Sequence, residues 1–226
     1  MQARNAKVIT IVLSLWLTGC AALPGGDGPG TPVLGGQVVI AAPRGYCLDR
    51  TQRRETATGA FLLFGTCQGL EGAGPAPVAP AVLTAAVAGG AGELGAADMS
   101  RLATYLGSPE GRSTLSRSAG TDRVSITSLE QTADLIVIRA RDGDTIDLDE
   151  DYWRAVFPGP GSLVTLTVSG TVADPLDEAT GRALLLDFTR AVRQASPRPA
   201  GMTSTLEETD GAGETKGLRK LLNRLL

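Results

Sequence analysis

The chain contains 226 residues, 21 of them basic and 24 acidic, with a formal net charge of -3 and no histidine. This charge balance lacks the basic excess that is typical of nucleic-acid-binding proteins. The absence of imidazole excludes Ser-His-Asp and Cys-His catalysis and histidine metal sites. Aromatic residues make up only 4% of the chain, so its core depends on Val, Leu, Ile and Ala.

The first residues carry the pattern of an export signal. Arg4 and Lys7 form a positive start. Residues 8–17 then supply about ten apolar or nearly apolar positions, which is the length of a signal-peptide core and too short for a membrane span. We therefore predict a signal peptide over residues 1–19.

A short motif ends this signal. The order Leu17-Thr18-Gly19-Cys20 resembles the lipobox of bacterial lipoproteins. The resemblance implies that Cys20 receives a diacylglycerol, that the chain is cut just before it, and that the new amino terminus is acylated; an ordinary signal peptide with a chance cysteine is the alternative. With Ala21 in place of Asp, the sorting rule of such proteins favours the outer membrane. We expect a lipid-anchored envelope protein that faces the periplasm.

Composition divides the remaining chain into a body and two ends. Residues 20–35 are rich in Gly and Pro and are predicted to form a flexible tether. Residues 196–215 combine prolines, glycines and acids, and are predicted to form a disordered linker. Residues 36–195 suit a single domain of about 160 residues.

With Cys20 assigned to lipid, two cysteines remain. Cys47 and Cys67 form an even pair in an exported protein, which predicts a disulfide. The alternative, a reactive thiol or redox pair, lacks both the CxxC spacing and a histidine to lower the thiol pKa.

The first half of the body combines strand and helix patterns. Asp98 is the predicted N-cap of a helix that ends at Gly107, and Ser108 with Pro109 predicts the start of a second short helix. Apolar runs before these helices predict strands over residues 37–42, 46–49, 60–67 and 81–88.

The second half ends in the strongest helix pattern of the chain, residues 177–195, with acids at its start and arginines towards its end. Asp142-Gly143 is a hairpin signal, and the alternating run 163–168 predicts a half-solvated antiparallel strand. The predicted strands of this half are 124–126, 134–140, 145–148, 152–157 and 163–168.

These elements predict an α+β domain, an antiparallel sheet packed by helices with a long helix near the C-terminus and flexible ends. Their order is similar to the PsbP-like fold, supported by Pro43-Arg44-Gly45-Tyr46 and Phe188. GYCLD followed by LFGTC also resembles a group of alphaproteobacterial envelope lipoproteins. That resemblance implies no activity.

An acidic run follows the hairpin signal, with six carboxylates in residues 142–151. Its spacing departs from the EF-hand order, so we predict a solvated hairpin and no metal site, with Asp142 and Asp144 as the weak candidates for metal. Tyr152, Trp153 and Arg154 are residue types that dominate binding surfaces, although a core role is the more common one for tryptophan where aromatics are scarce.

The last residues, 216–226, predict a basic amphipathic helix. Its two faces consist of Leu218, Leu221, Leu222, Leu225 and Leu226 on one side and Lys216, Arg219, Lys220, Asn223 and Arg224 on the other. So short a helix is marginal alone in water. It requires an anionic lipid surface, a groove of a partner protein or its own domain, and the long linker and cationic face favour the first two.

Together these patterns favour a non-catalytic adaptor or accessory factor of the cell envelope, without cofactor and without nucleic acid. The alternatives are an enzyme that acts on envelope material through carboxylates of the acidic run, and a carrier of a small ligand. Two convergent carboxylates in a deep pocket would indicate the enzyme, an apolar cavity the carrier, and a flat sheet face around Trp153 the adaptor.

Overall fold

The computed structural model describes residues 30–117, 124–143 and 146–196. The helices are α1 (Cys67–Glu71), α2 (Ala96–Gly107), α3 (Pro109–Ser113) and α4 (Glu178–Ala195). The strands are β1 (Thr31–Val33), β2 (Val38–Ile40), β3 (Tyr46–Leu48), β4 (Arg54–Thr56), β5 (Gly59–Thr66), β6 (Val82–Gly89), β7 (Val124–Gln131), β8 (Ile136–Asp142), β9 (Leu148–Gly159) and β10 (Ser162–Thr171).

One antiparallel sheet organises the molecule, in the order β3-β5-β6-β10-β9-β8-β7, with β4 also paired to β5. β1 and β2 form a separate two-stranded hairpin. The predicted α+β class is confirmed. The pairing brings strands from both halves of the chain together, since β6 lies beside β10.

The first face of the sheet is covered by α4 and by the hairpin β1–β2. α4 begins where predicted, because the Asp177 carboxylate accepts the Thr180 N–H at 2.9 Å. Alternate residues of the strands meet this helix in a core that includes Leu62, Phe64, Leu83, Ala85, Val87, Trp153, Phe157, Leu166, Val168, Leu185 and Phe188.

The second face is covered over β7, β8 and β9 by α2 and α3. Its core contains Met99, Leu102, Leu106, Leu115, Ile136, Ile138, Tyr152, Val156 and Leu163. Ser108 caps α3 as predicted, with Pro109 in its first turn. Asp98 does not cap α2. That helix begins earlier, after Gly95, whose N–H donates to the Asp98 carboxylate at 2.8 Å.

Some predicted boundaries are wrong for tertiary reasons. Part of the predicted tether is ordered, since β1 pairs with β2. The run 152–157 lies inside a longer strand, β9, which begins at Leu148 and so contains only the last residue of the predicted strand 145–148. β10 is less solvated than predicted: it lies at the centre of the sheet, Thr167 and Ser169 are buried like Val168 between them, and Thr165 is partly exposed.

The predicted disulfide is present. Cys47 on β3 and Cys67 at the start of α1 are bonded, with Cα atoms 4.8 Å apart. The predicted strand 60–67 ends one residue earlier than expected, because the Thr66 hydroxyl accepts the Gly69 N–H and caps α1. The bond thus ties an edge strand to the helix that follows β5.

Candidate functional site

The predicted anchors lie outside the described residues. These are Cys20 with the signal peptide, and the tail residues Leu218, Arg219, Lys220, Leu221, Leu222, Arg224 and Leu225. Among the helices that the structure describes, none has the length and hydropathy needed to cross a membrane.

The candidate interface at residues 152–154 is largely interior. Tyr152 is 1% exposed and Trp153 4% exposed, so the structure supports the core interpretation of these aromatics and corrects the interface one. The two rings lie on opposite faces of β9, Trp153 against α4 and Tyr152 under α2–α3. A flat surface around Trp153, expected of an adaptor, is therefore not what the fold builds.

Tyr152 lies between two arginines. The Arg117 guanidinium is 4.5 Å from the ring centroid and that of Arg154 is 5.2 Å from it. The Tyr152 hydroxyl donates to the Leu115 carbonyl at 2.6 Å, and burial raises the pKa of Tyr152. Burial also lowers the pKa of Arg117. Arg117 was not singled out by the sequence, where it is one polar residue of a serine-rich stretch.

Asp142 is buried and not solvated. Its carboxylate accepts the Arg117 N–H at 2.7 Å and the Ser116 hydroxyl at 3.2 Å, and lies 4.0 Å from the Arg117 Nε. Arg117 also donates to the Asp149 and Glu150 carbonyls. Asp142, the first residue of the acidic run, therefore links the segment after α3 to the β8–β9 hairpin by hydrogen bonds.

The other described carboxylates of the acidic run do not converge on a common point. Asp151 pairs with Arg139 at 3.7 Å and with Arg141 at 3.2 Å, and Glu150 lies 3.6 Å from Arg141. Asp144 is outside the described residues. Within the part of the chain that the structure describes, no group of His, Cys, Asp and Glu side chains is arranged to hold a metal ion.

A different surface stands out on the second face, over β5, β6 and β10. α2 and α3 reach these strands only at Leu163 of β10, which belongs to their core. The neighbouring second-face positions of β5, β6 and β10 stay partly exposed, and we call this part of the sheet the open face. In register across it lie Leu63, Thr84 and Thr167 in one row, and Phe61, Ala86 and Thr165 in the next. Phe61 is 37% exposed, whereas Leu62 beside it is fully buried on the first face.

Two arginines border the open face. Arg154 stands beside Thr167, whose hydroxyl accepts its Nε–H at 3.2 Å, and Arg54 is paired opposite Phe61. Among the described residues, no carboxylate forms an ion pair with either arginine. β5, β6 and β10 themselves contain no charged residue. The open face is therefore mixed apolar and hydroxyl, with a positive border.

The two ends of the described domain meet at one residue of β2. The Ser196 hydroxyl, just after α4, donates to the Val39 carbonyl at 3.0 Å and accepts the Val39 N–H. Gly30 packs against the Val39 side chain, where a β-carbon would overlap it. The two ends of the described range, residues 30 and 196, thus lie at the same hairpin.

Clefts open on the described surface, and two of them have lining residues that bear on ligand binding. One of about 310 Å³ lies beside the disulfide and is bordered by Tyr46 and Phe64, with Glu71 as its only carboxylate. The other, of about 120 Å³, contains Asp134, which pairs with Arg193 at 3.2 Å. Neither of these clefts holds two convergent carboxylates.

Comparison with known proteins adds little. No protein-family model matches the chain, and no curated protein matches it. Among solved structures, the chain is similar to the Ran-binding protein Mog1p of Saccharomyces cerevisiae, with 13% identity and a TM-score of 0.34 over 73% of this chain and 87% of that chain. This likeness is too weak to transfer any property of Mog1p.

Proposed function

We propose that the protein is a non-catalytic adaptor of the cell envelope, held at a membrane by lipid on Cys20 and facing the periplasm. The observation that carries the proposal is the meeting of Gly30 and Ser196 at Val39. Because of it, the lipid-bearing end and the basic tail leave the domain at the same place. The open face lies on the opposite side of the sheet from the hairpin β1–β2.

The distances are compatible with two attachments to one membrane. A glycine-rich chain of about ten residues, the length of 20–29, has a root-mean-square span of about 17 Å. One of about twenty residues, the length of 197–215, spans about 25 Å. A tail tethered so closely experiences an effective concentration in the millimolar range at the surface that holds the lipid.

The chemistry of the tail favours an anionic lipid surface as its site. The leucines of residues 216–226 form one side of the predicted helix, and Arg219, Lys220 and Arg224 lie on the other. On a membrane, such a helix buries its leucines in the lipid and holds its basic residues near the anionic headgroups. Both contacts strengthen its binding. The second attachment would orient the domain as well as hold it.

The same geometry weighs against the two rival functions. Of the acidic run, Asp142 is ion-paired with Arg117, and Asp151 with Arg139 and Arg141. The larger cleft described, about 310 Å³, is open to solvent and bordered by arginines, unlike the enclosed apolar cavity of a ligand carrier.

The adaptor role is tested by crosslinking in native membranes. Three versions are compared: the full-length lipoprotein, one lacking residues 216–226, and one whose residues 216–226 are reordered so that charge is kept and the leucine stripe is lost. We expect a discrete set of envelope proteins with the intact version, identified by mass spectrometry. Recovery of no protein partner with any version would contradict the proposal.

The lipid role of the tail is tested separately with vesicles. A Cys20→Ser version, which lacks the lipid, should bind vesicles containing phosphatidylglycerol and not pure phosphatidylcholine ones. Replacing Arg219, Lys220 and Arg224 by Gln should weaken this binding by more than tenfold, since each basic residue near an anionic surface contributes about 1 kcal/mol. Equal binding to both kinds of vesicle would contradict an electrostatic role for the tail.

A further inference from the structure

We propose that the open face is the docking site for an amphipathic helix of a partner protein, one that carries leucine-type side chains together with carboxylates. The proposal rests on the adaptor function proposed above and names the chemistry of its partner. It is carried by two observations on the described residues: a strip of apolar and threonine side chains that none of them covers, and two arginines beside that strip with no ion pair to a described carboxylate.

The described residues cover the strip on one face of the sheet and leave it partly exposed on the other. On the first face, Leu62, Leu83 and Leu166 of these strands are fully buried. On the second face, the residues between them remain partly exposed: Phe61, Leu63, Thr84, Ala86 and Thr165. Of the helices in the described residues, α1 reaches only the end of the strip, where Leu70 lies over Gly65 and is itself 42% exposed.

The shape of the strip suits a helix. β5, β6 and β10 are neighbouring strands, so the outer two lie about 10 Å apart, close to the diameter of one α-helix with its side chains. The surface is a sheet face and not a cavity, which is the form of a protein contact and not of a small-molecule site. The opposite face of the same sheet already holds a helix, α4.

The charges specify the partner further. Arg154 uses its Nε–H on Thr167 and has no ion pair through its η nitrogens among the described residues. Arg154 lies close enough to Arg117 for its charge to add to the lowering of the Arg117 pKa by burial. The buried carboxylate near these two arginines, that of Asp142, is paired with Arg117. A carboxylate on the incoming helix would supply the missing partner of Arg154 in a partly desolvated position.

The chain's own tail is a poor occupant by the same criterion. Residues 216–226 contain Lys216, Arg219, Lys220 and Arg224 and no acid. Seated on the open face, that helix would bring further positive charge near Arg54 and Arg154. The proposal therefore commits to an acidic helix from another protein, and occupancy by the tail is one of the outcomes that the test separates.

The test uses the full-length lipoprotein in phosphatidylcholine nanodiscs and two synthetic fluorescent peptides. Both peptides have the same leucine stripe at helical spacing; one has Glu at the polar positions and the other has Lys. Anisotropy titration should show that the Glu peptide binds at least tenfold more tightly than the Lys peptide. Crosslinks analysed by mass spectrometry should fall on β5, β6 and β10.

Substitutions of the two arginines and of the strip should differ in their effect on peptide binding. Arg54→Gln, at an exposed position, and Arg154→Gln should each weaken binding of the Glu peptide about tenfold, as for loss of a charge-assisted hydrogen bond. Phe61→Asp should abolish binding of both peptides. Ile146→Asp, at a side chain that is 91% exposed, is the matched control and should leave binding unchanged.

Three outcomes would overturn the proposal: equal affinity for both peptides, no binding of either, or an affinity that Arg54→Gln and Arg154→Gln leave unchanged. If binding of the Glu peptide appears only after residues 216–226 are deleted, the tail is the occupant and the acidic-partner proposal fails. Failure here alongside partners in native membranes means that the adaptor uses another surface. Failure in both experiments rejects the adaptor function itself.

Discussion

Ser196 and Val39 are joined by two hydrogen bonds although they lie 157 residues apart in the chain. The Ser196 hydroxyl satisfies both backbone groups of Val39, on the side of β2 that β1 does not pair. Ser196→Ala leaves the Val39 N–H without its acceptor, so we expect a loss of about 1–2 kcal/mol in the free energy of unfolding. Urea denaturation measures this loss.

The same change should act locally. Hydrogen exchange at the Val39 amide should accelerate, while exchange in β6 and β10 should change only by the global loss of stability. Ser100→Ala is the matched control, because Ser100 is an exposed residue of α2 with no hydrogen bond through its hydroxyl among the described residues. If the Ser196→Ala protein is as stable as the Ser100→Ala protein, the Ser196–Val39 hydrogen bonds do not stabilise the domain.

Gly181 of α4 leaves the space that the Trp153 indole fills. A β-carbon at Gly181 would overlap the indole nitrogen, so Gly181→Ala forces either the ring or the helix to move. We expect destabilisation of about 1–3 kcal/mol, as in other overpacked cores. Gly107→Ala at the end of α2 is the control, since nothing lies within 4 Å of its added carbon. In thermal unfolding, the melting temperature should fall for Gly181→Ala and rise for Gly107→Ala.

The Cys47–Cys67 disulfide should act as a structural bond. It closes a loop with a sequence separation of 20 residues, and for loops of this size the chain-entropy model assigns about 3 kcal/mol of stabilisation. Replacing both cysteines by Ser should lower the free energy of unfolding by roughly that amount. The double variant should then be indifferent to added reductant, whereas the parent loses stability in it. Equal sensitivity of both proteins to reductant would contradict this assignment.

The sequence was sufficient for elements whose signals are local. α4 was predicted at its observed place because its apolar residues are preceded by acids and followed by arginines, the charge order that suits a helix dipole. The strands of the core were found because apolar runs of five to eight residues are the signature of burial. The Cys47–Cys67 pairing followed from counting cysteines in a chain that the sequence predicts to be exported.

The open face was not predicted, because no short stretch of the sequence indicates that it is exposed. Phe61 and Leu63 stand in the same apolar run as Leu62 and Phe64, which predicts a strand buried on both sides. That one side is uncovered depends on where α2 and α3 stop, many residues away. Asp142 was likewise placed in solvent by its turn signal, because its partner Arg117 is distant in the chain and belongs to no motif.

Asp142→Asn tests whether the first acid of the run is a structural ion-pair partner. The substitution keeps the shape and removes the charge that faces Arg117, so we expect a loss of about 2 kcal/mol or more in the free energy of unfolding. Asp147→Asn, at an exposed side chain in the same run, should stay within about 0.5 kcal/mol of the parent. Urea denaturation gives both values. A rise in the melting temperature of the parent in calcium, lost in Asp142→Asn, would instead support a metal site.

Tyr46 should make the protein sensitive to alkaline pH. Burial raises the pKa of Tyr46 from 10.0 to about 12. The Tyr46 hydroxyl donates to the Ala79 carbonyl, a bond that only the protonated phenol can make. Between these values the unfolded chain loses the phenolic proton while the folded one keeps it. The unfolded state then binds fewer protons, so stability is fully present below pH 10 and falls as the pH rises towards 12.

Tyr46→Phe removes this group and isolates its effect. At pH 8 the variant should be less stable by about 1 kcal/mol, the value of the lost hydrogen bond. As the pH rises above 10, the parent should lose on the order of 2 kcal/mol more than the variant, so the two stability curves converge and then cross. Tyr152, whose pKa burial also raises, is present in both proteins and its contribution cancels in the comparison. Urea midpoints that keep a constant difference from pH 8 to 12 would show that Tyr46 is not the group responsible.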